Sequence, residues 1–320
     1  MQGLTVAFHD PVICIRGSSV ALYDYADHNE KILGNRSIIL TPADGLQKAD
    51  PLGVNKYIAR FQIFVYQNKE DMEAILQEEK CSVLYCIKYG KNDGFYSEKT
   101  KTVVHCVFDM SEPHGNVYAG VSKTLAEKYG KKEFVPHMVS LVPSVTRANL
   151  RETLRIPEEA IVFGRYGGMD TFNIRFCWDV ISKVLKDRKD IYFLFINTPR
   201  EVVHDRVIHL PKISSDTEKN LFICTCDAHL ECGTMGHTFG LAMGEFSVNN
   251  KPIIAYGGPT WNNAHKEILG NNAIYFQTPE DFEKILREFT PSDYNGKDLN
   301  FYKEYSPENV MKQFQDVFLA

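Results

Sequence analysis

No stretch of this chain approaches the roughly 20 consecutive apolar residues that a membrane-spanning helix needs. There is no excess of positive charge: 36 Lys and Arg stand against 41 Asp and Glu, a net charge of −5, which argues against a nucleic-acid-coating protein. No Gly-x-Gly-x-x-Gly follows the first strand and no Walker lysine follows a glycine loop, so the nicotinamide and P-loop fingerprints are both missing. Internal repeats and low-complexity segments are missing too. The apolar stretch at residues 4–8 is too short for a secretion signal and runs straight into His9-Asp10-Pro11. The eight cysteines sit mostly inside apolar runs, as buried thiols of a reducing compartment do. Cys224, Cys226 and Cys232, with His229 nearby, do not have zinc-site spacing, and no metal site is expected. These absences together predict a soluble intracellular protein with no nucleic-acid partner and no membrane span.

What the chain has is length and alternation. Its 320 residues, 44% hydrophobic and 24% charged, suffice for two ordinary domains. In the first half, strands are expected at 4–8, 36–41, 61–66, 82–87, 102–108, 117–121 and 134–139, with helices at 18–33 and 69–79. In the second half, strands are expected at 161–164, 191–196, 207–210, 227–230, 252–255 and 273–276. Helices there are expected at 172–186, 216–224, 238–249 and 279–288, and a last one at 307–318 crosses back onto the first domain. Such alternation implies α/β domains with parallel sheets covered on both faces, and a ligand cleft at the carboxyl ends of the strands. The domain limits expected are 1–147, 148–305 and the returning helix 306–320.

Three glycine-bearing turns carry the candidate chemistry. Arg16-Gly17-Ser18-Ser19 opens the first helix, where N–H groups favour an anion; the plainer reading is a turn with Ser18 as N-cap. Phe163-Gly164-Arg165-Tyr166-Gly167-Gly168 places an arginine fork beside flexible glycines, suited to phosphate oxygens, or else a surface ion-pair partner. Gly236-His237-Thr238-Phe239-Gly240, with Glu245 further along the helix, reads as a helix entry that a diphosphate can approach closely. His105 falls in the second half of a buried strand, where a hydrogen-bonded core histidine is the commoner outcome. His114 in the turn Glu112-Pro113-His114-Gly115 ranks below it, and Asn197-Thr198-Pro199-Arg200 is read as an ordinary turn.

These three turns, in this order, resemble the retaining family-4 glycosyltransferases, in the short form found in large DNA viruses of algae and in some bacteria. The resemblance implies the GT-B fold, two facing Rossmann-like doubly wound domains with a cleft between them, the acceptor side first and the donor side second. It implies transfer of a hexose from a nucleoside-diphosphate sugar, GDP-mannose or UDP-glucose in type, to a glycan or glycoprotein acceptor in the cytoplasm, the host's if the protein is viral. His105, Arg165 and His237 are the implied catalytic residues. Gly17, Arg165, Tyr166, Gly167, Thr238, Phe239, Gly240 and Glu245 are the implied donor-binding residues. No cofactor is required, although Mg²⁺ or Mn²⁺ on the diphosphate is compatible with the chemistry. The metal-dependent GT-A transferases expect an Asp-x-Asp, and Asp187-Arg-Lys-Asp190 has the wrong spacing. The chain departs from the pattern of the family it resembles twice, with His237 where a glutamate is usual and Asp170 where a lysine is usual. Both departures feed a rival expectation, a nucleotide-sugar-binding protein that has lost catalysis.

Overall fold

The computed structural model describes residues 3–320, which divide into two compact units. The first unit is Met1–Ser140 joined by Glu304–Ala320, and the second is the continuous stretch Leu141–Lys303. The first contains a six-stranded parallel sheet: β1 (Thr5–His9), β2 (Arg36–Pro42), β3 (Ile63–Tyr66), β4 (Val83–Lys88), β5 (Lys101–Cys106) and β6 (Val117–Gly120), in the order β3-β2-β1-β4-β5-β6. Helices α1 (Gly17–Lys31), α2 (Ala43–Gln47), α3 (Pro51–Ile58), α4 (Lys69–Glu78) and α5 (Lys123–Lys128) connect or follow its strands. The strands read as near-continuous apolar runs because both faces of a parallel sheet are covered. Val83–Lys88, for example, is buried in all but its last residue.

The second unit repeats the plan. Its strands are β7 (Ile161–Tyr166), β8 (Ile191–Ile196), β9 (Val207–Leu210), β10 (Ala228–Glu231), β11 (Gly236–His237), β12 (Ile253–Tyr256), β13 (Asn262–Asn263) and β14 (Ile274–Phe276). Six of them form a sheet in the order β14-β12-β10-β7-β8-β9, while β11 and β13 pair as a small separate ribbon. Helices α6 (Arg175–Asp187), α7 (Asp216–Thr225), α8 (Leu241–Val248), α9 (Ala264–Leu269) and α10 (Pro279–Glu288) belong to this unit. One core runs from Phe163, Phe193 and Phe195 on the strands to Cys177, Trp178 and Ile181 on α6 and Phe282 and Leu286 on α10.

The returning segment α11 (Pro307–Phe314), extended by a π-helical turn at Gln315–Leu319, belongs to the first unit. Phe314 stacks 5.2 Å from the Tyr25 ring and Phe318 lies 5.0 Å from His105. In each sheet the strand order reverses direction at one point, between β1 and β4 and between β7 and β10. Ligands of open α/β sheets bind outside the carboxyl ends of the strands at such a point.

Four local expectations are corrected. Ser18 is not the cap of the first helix: the cap position is Arg16, and Ser18 already lies inside α1. The segment 134–139 is not a strand beyond one bridge, Gly120 to Phe134, because Pro136 has no N–H to offer a ladder. The helix expected at 172–186 starts only at Arg175. The one expected at 238–249 starts only at Leu241, because its cap, Gly240, has φ +91°, a left-handed conformation that cannot continue a helix.

Candidate functional site

The reversal point of the second sheet gathers most of the residues singled out in the sequence. β7 runs two residues further than expected, so Arg165 and Tyr166 are its last two residues rather than loop residues. Gly164 precedes them because a Cβ there would lie 2.1 Å from Cys226 Sγ, where α7 ends against the sheet. Arg165 is fully buried. Its guanidinium donates to Thr198 Oγ1 at 2.7 Å, the Asn197 carbonyl at 3.2 Å and the Gly168 carbonyl at 2.8 Å, and also to Thr171 Oγ1. The fork thus closes on its own loop, and the turn at Asn197–Thr198 exists to receive it. Asn197 completes the arrangement by donating Nδ2–H to the Gly167 carbonyl at 2.7 Å. Burial works against the Arg165 charge, and the carboxylate of Glu231 supports it.

Tyr166 and Glu245 form a second buried group. The Tyr166 hydroxyl donates to Glu245 Oε2 and Lys219 Nζ donates to Glu245 Oε1. Glu245 lies in mid-α8 and is 5% exposed, and Lys219, from α7, is buried beside it. Each carboxylate oxygen carries two lone pairs, so Glu245 keeps acceptor capacity beyond these two donors. Burial pushes the Tyr166 hydroxyl well above its ordinary range and the neighbouring carboxylate adds to the push, so the phenol stays a donor. Lys219 escaped the sequence reading. Its signal was a lysine three and four positions before Phe222 and Ile223, on the apolar side of α7.

The entry to α8 is built from glycines and two histidines. Gly236 has φ +63°, and a Cβ on it would meet the Asn262 carbonyl at 1.9 Å, where β11 pairs with β13. Gly240 caps α8, and its own Cβ would lie 2.9 Å from Met243 Cε. Thr238 and Phe239 are buried; the Phe239 carbonyl accepts the Tyr302 hydroxyl at 3.0 Å. The His237 backbone N–H donates to His265 Nδ1 at 3.3 Å. Burial first, and then the neighbouring His237, pushes the His265 ring down to about 3. His237 Nε2 lies 3.3 Å from Glu231 Oε1, at the end of β10. Glu231 was not picked out from the sequence, although a carboxylate closing the buried strand Ala228-His229-Leu230 is a signal in itself.

Gly17 and His105 belong to the first unit. Gly17 is the exposed first residue of α1. His105 is sealed in the core, with Nδ1 2.6 Å from the Tyr85 hydroxyl and Nε2 2.7 Å from the Val135 carbonyl. Burial pushes its ring down to about 4. His114 takes part in a surface turn, its Nδ1 2.8 Å from the Glu112 carbonyl. Asp170 is exposed in the loop after β7. Among the described residues, no three His, Cys, Asp or Glu side chains are arranged to hold a metal ion, and no helix is long and apolar enough to cross a membrane.

No protein-family model matches the chain, and no curated protein matches its sequence. Its structure, however, matches solved glycosyltransferases end to end. HepE from Anabaena, crystallised with UDP and glucose, superposes with a TM-score of 0.72 at 11% identity, covering 99% of this chain and 100% of that one. A glycosyltransferase from Rickettsia africae gives 0.66 at 12% identity, over 99% and 95% of the two chains. WaaG, a glycosyltransferase of lipopolysaccharide biosynthesis, gives 0.59 at 10% identity, over 98% and 96%. Two parallel six-stranded sheets with matching neighbours over the whole chain establish the GT-B fold.

Proposed function

We propose that the protein is a retaining glycosyltransferase that moves a hexose from a nucleoside-diphosphate sugar to a glycan or glycoprotein acceptor. The observation that carries this reading is the second reversal point: Arg165, Tyr166, Glu245 and the glycine entry of α8 stand together there, in the pattern that the family's donor site has in sequence. HepE, which shares the fold along its whole length, holds UDP with glucose in one crystal and UDP-glucose in another. That favours a UDP-hexose as donor over GDP-mannose.

In this reading Glu245 accepts the ribose hydroxyls, while Lys219 and Tyr166 fix its carboxylate in orientation. The diphosphate lies at the start of α8, where first-turn N–H groups and the helix dipole favour negative charge. Arg165 contributes charge and, by gripping Asn197, Thr198, Gly168 and Thr171, holds the Gly167–Gly168 loop in place. His237 contacts the sugar hydroxyls. The leaving diphosphate takes the acceptor proton on the face it leaves, which preserves the anomeric configuration. The protein supplies positioning and charge stabilisation. Gly17 opens the acceptor side, and His105, with both ring nitrogens bonded, acts there only by holding the framework.

A thermal-shift panel of UDP- and GDP-sugars tests the donor site. A ligand at 100 times its dissociation constant stabilises the fold by about 2.7 kcal/mol, and UDP-hexoses should do so. The anomeric configuration of the product, read by proton NMR, tests retention. Stabilisation by none of the panel would end the reading. Binding with neither transfer nor donor hydrolysis would instead mark a nucleotide-sugar binder that has lost catalysis.

A further inference from the structure

We infer that Glu231 is a positioning residue for His237, so that a buried carboxylate and an imidazole together do what one carboxylate does at the sugar hydroxyls. The inference rests on the glycosyltransferase reading and concerns the one donor-side position where this chain has a ring in place of a glutamate. An imidazole alone offers one donor and one acceptor and brings no negative charge. The charge is present one residue-shell away. Glu231 is the last residue of β10, at the reversal point of the sheet and 4% exposed, and its Oε1 lies 3.3 Å from His237 Nε2.

The surroundings show why this carboxylate is more than a packing residue. Its other oxygen faces His229 Nε2 at 3.8 Å, too far for a hydrogen bond. Neither ring nitrogen of His229 nor Arg165 Nε has a hydrogen-bond partner among the described residues, and Glu231 Oε1 has none either, His237 Nε2 approaching it only as an ion-pair neighbour. Four unbonded polar atoms this deep cost free energy unless a ligand or a working charge justifies them. The groups around the pair are Arg165 from β7, His229 from β10, and His265 and Lys266 from α9. Burial alone would raise the Glu231 carboxyl, but the fields of His237, His229 and Arg165 outweigh it and hold the group well below the ordinary carboxylate range. Glu231 therefore stays ionised. Nε2 is the ring nitrogen of His237 that faces that charge, from a side chain about one quarter exposed (24%). The backbone of His237 is fixed independently by its N–H bond to His265, so the ring has a defined pivot.

A charge-exchange cycle on the full-length protein tests this. Glu231→Gln should lower kcat with the preferred UDP-sugar about 10- to 100-fold, the scale seen when the outer partner that orients a metal-ligating histidine is removed. The dissociation constant for UDP, by calorimetry, should change less than twofold, which also shows that the variant folds. His237→Glu alone sets two carboxylates against each other and should fall at least as far. The double variant Glu231→Gln/His237→Glu has one carboxylate in the direct position and should recover kcat above both singles. A double variant whose loss equals the product of the single losses would overturn the proposal, as would an unchanged kcat in Glu231→Gln. If Glu231→Gln does not fold, Glu231→Asp keeps the charge and shortens the reach, so a partial kcat loss supports the pair and no loss overturns it. Nitrogen-15 NMR of the ligand-free protein reads the pair without any donor: His237 protonated on Nε2 supports it, and protonation on Nδ1 alone overturns it. A protein that binds no nucleotide sugar would sink the glycosyltransferase reading while the NMR measurement still decides the Glu231–His237 pair.

Discussion

At the reversal point of the first sheet, β1 ends in His9, with Asp10 directly after it, and β4 ends in Lys88, and these groups are engaged by their own unit. His9 Nε2 is 2.9 Å from the Tyr66 hydroxyl, and its ring stacks on Phe95 at 4.1 Å. Asp10 accepts the Val12 N–H at 3.2 Å and the Tyr57 hydroxyl at 3.3 Å. Lys88 donates to the Phe95 carbonyl at 2.8 Å and to Asp93 at 2.5 Å. At the reversal point of the second sheet, Glu231, His229 and Arg165 are just as deep and keep atoms unbonded among the described residues. Both sheets have the same strand order, so topology supplies the crevice twice and does not decide what it binds. The last residues of the central strands decide it. Where they satisfy one another the crevice end is closed chemically; where they do not, there is capacity for a ligand.

The largest effect that should separate the two regions is acid sensitivity. In the first unit burial pushes His9 to about 3, His105 to about 4 and His137 to about 3. Each is neutral when folded and takes up a proton near pH 6.5 when unfolded, so the stability they contribute is complete above that pH. It falls as the pH drops from 6.5 towards 4. Each group costs about 1.4 kcal/mol per pH unit in that window, roughly 4 kcal/mol per unit for the three. His28 is lowered by burial as well, which makes four such groups in the first unit against three in the second, His209, His229 and His265. Both tryptophans, Trp178 and Trp261, lie in the second unit, so their fluorescence reports it alone. On acidification the far-UV signal should begin to fall before tryptophan fluorescence shifts; simultaneous or reversed transitions would contradict the ranking.

Next in size is the buried pair of the second unit. Glu245→Ala strands the Lys219 ammonium in a buried site and should cost about 3–5 kcal/mol in urea unfolding. It should also weaken UDP binding. Asp44→Ala, which breaks the exposed Lys48–Asp44 pair of the first unit, should stay within about 0.5 kcal/mol. Similar losses in the two variants would show that Glu245 is not held as described.

Two glycines sharpen the contrast further. Gly34 and Gly240 both have positive φ, but a Cβ on Gly34 meets nothing within 4 Å, whereas one on Gly240 meets Met243 Cε at 2.9 Å and the Tyr302 hydroxyl at 3.2 Å. Gly34→Ala should cost about 1 kcal/mol from backbone conformation alone. Gly240→Ala should cost about 2–3 kcal/mol, because the clash adds to it. Equal thermal shifts would mean that the α8 entry yields more easily than its packing indicates.

The smallest effect concerns binding alone. Arg165→Lys keeps a charge and loses the fork that holds the Gly167–Gly168 loop. Affinity for UDP should fall about tenfold, and affinity for uridine much less. Calorimetry on both decides, and an equal loss would point to a disordered loop rather than a lost phosphate environment.

The strand framework was legible in the sequence because buried parallel strands are apolar throughout, and runs such as Ile191–Ile196 leave little choice. Helix starts were less so. A glycine can lie inside a first turn or cap it, and only the backbone torsion of Gly240 shows which. At the candidate site, Arg165, Tyr166 and Glu245 could be picked out because each stands in a recurring motif. What motif reading cannot show is partnership across strands. The fork of Arg165 looked free for phosphate and in fact grips four oxygens of its own unit. Lys219 and Glu231 lie in no motif, and their importance comes from residues 26 positions away in one case and six in the other, brought close by the fold.

The returning segment at Glu304–Ala320 has a consequence for biosynthesis. The unit that leaves the ribosome first cannot complete its core until Phe314 and Phe318 arrive to pack against Tyr25, Tyr85 and His105. The second unit, Leu141–Lys303, is continuous and has all of its own sequence earlier. The amino-terminal unit therefore cannot complete its fold first during translation, as amino-terminal domains usually do. Released chains that end at residue 303 should hold a folded second unit beside a protease-sensitive first one.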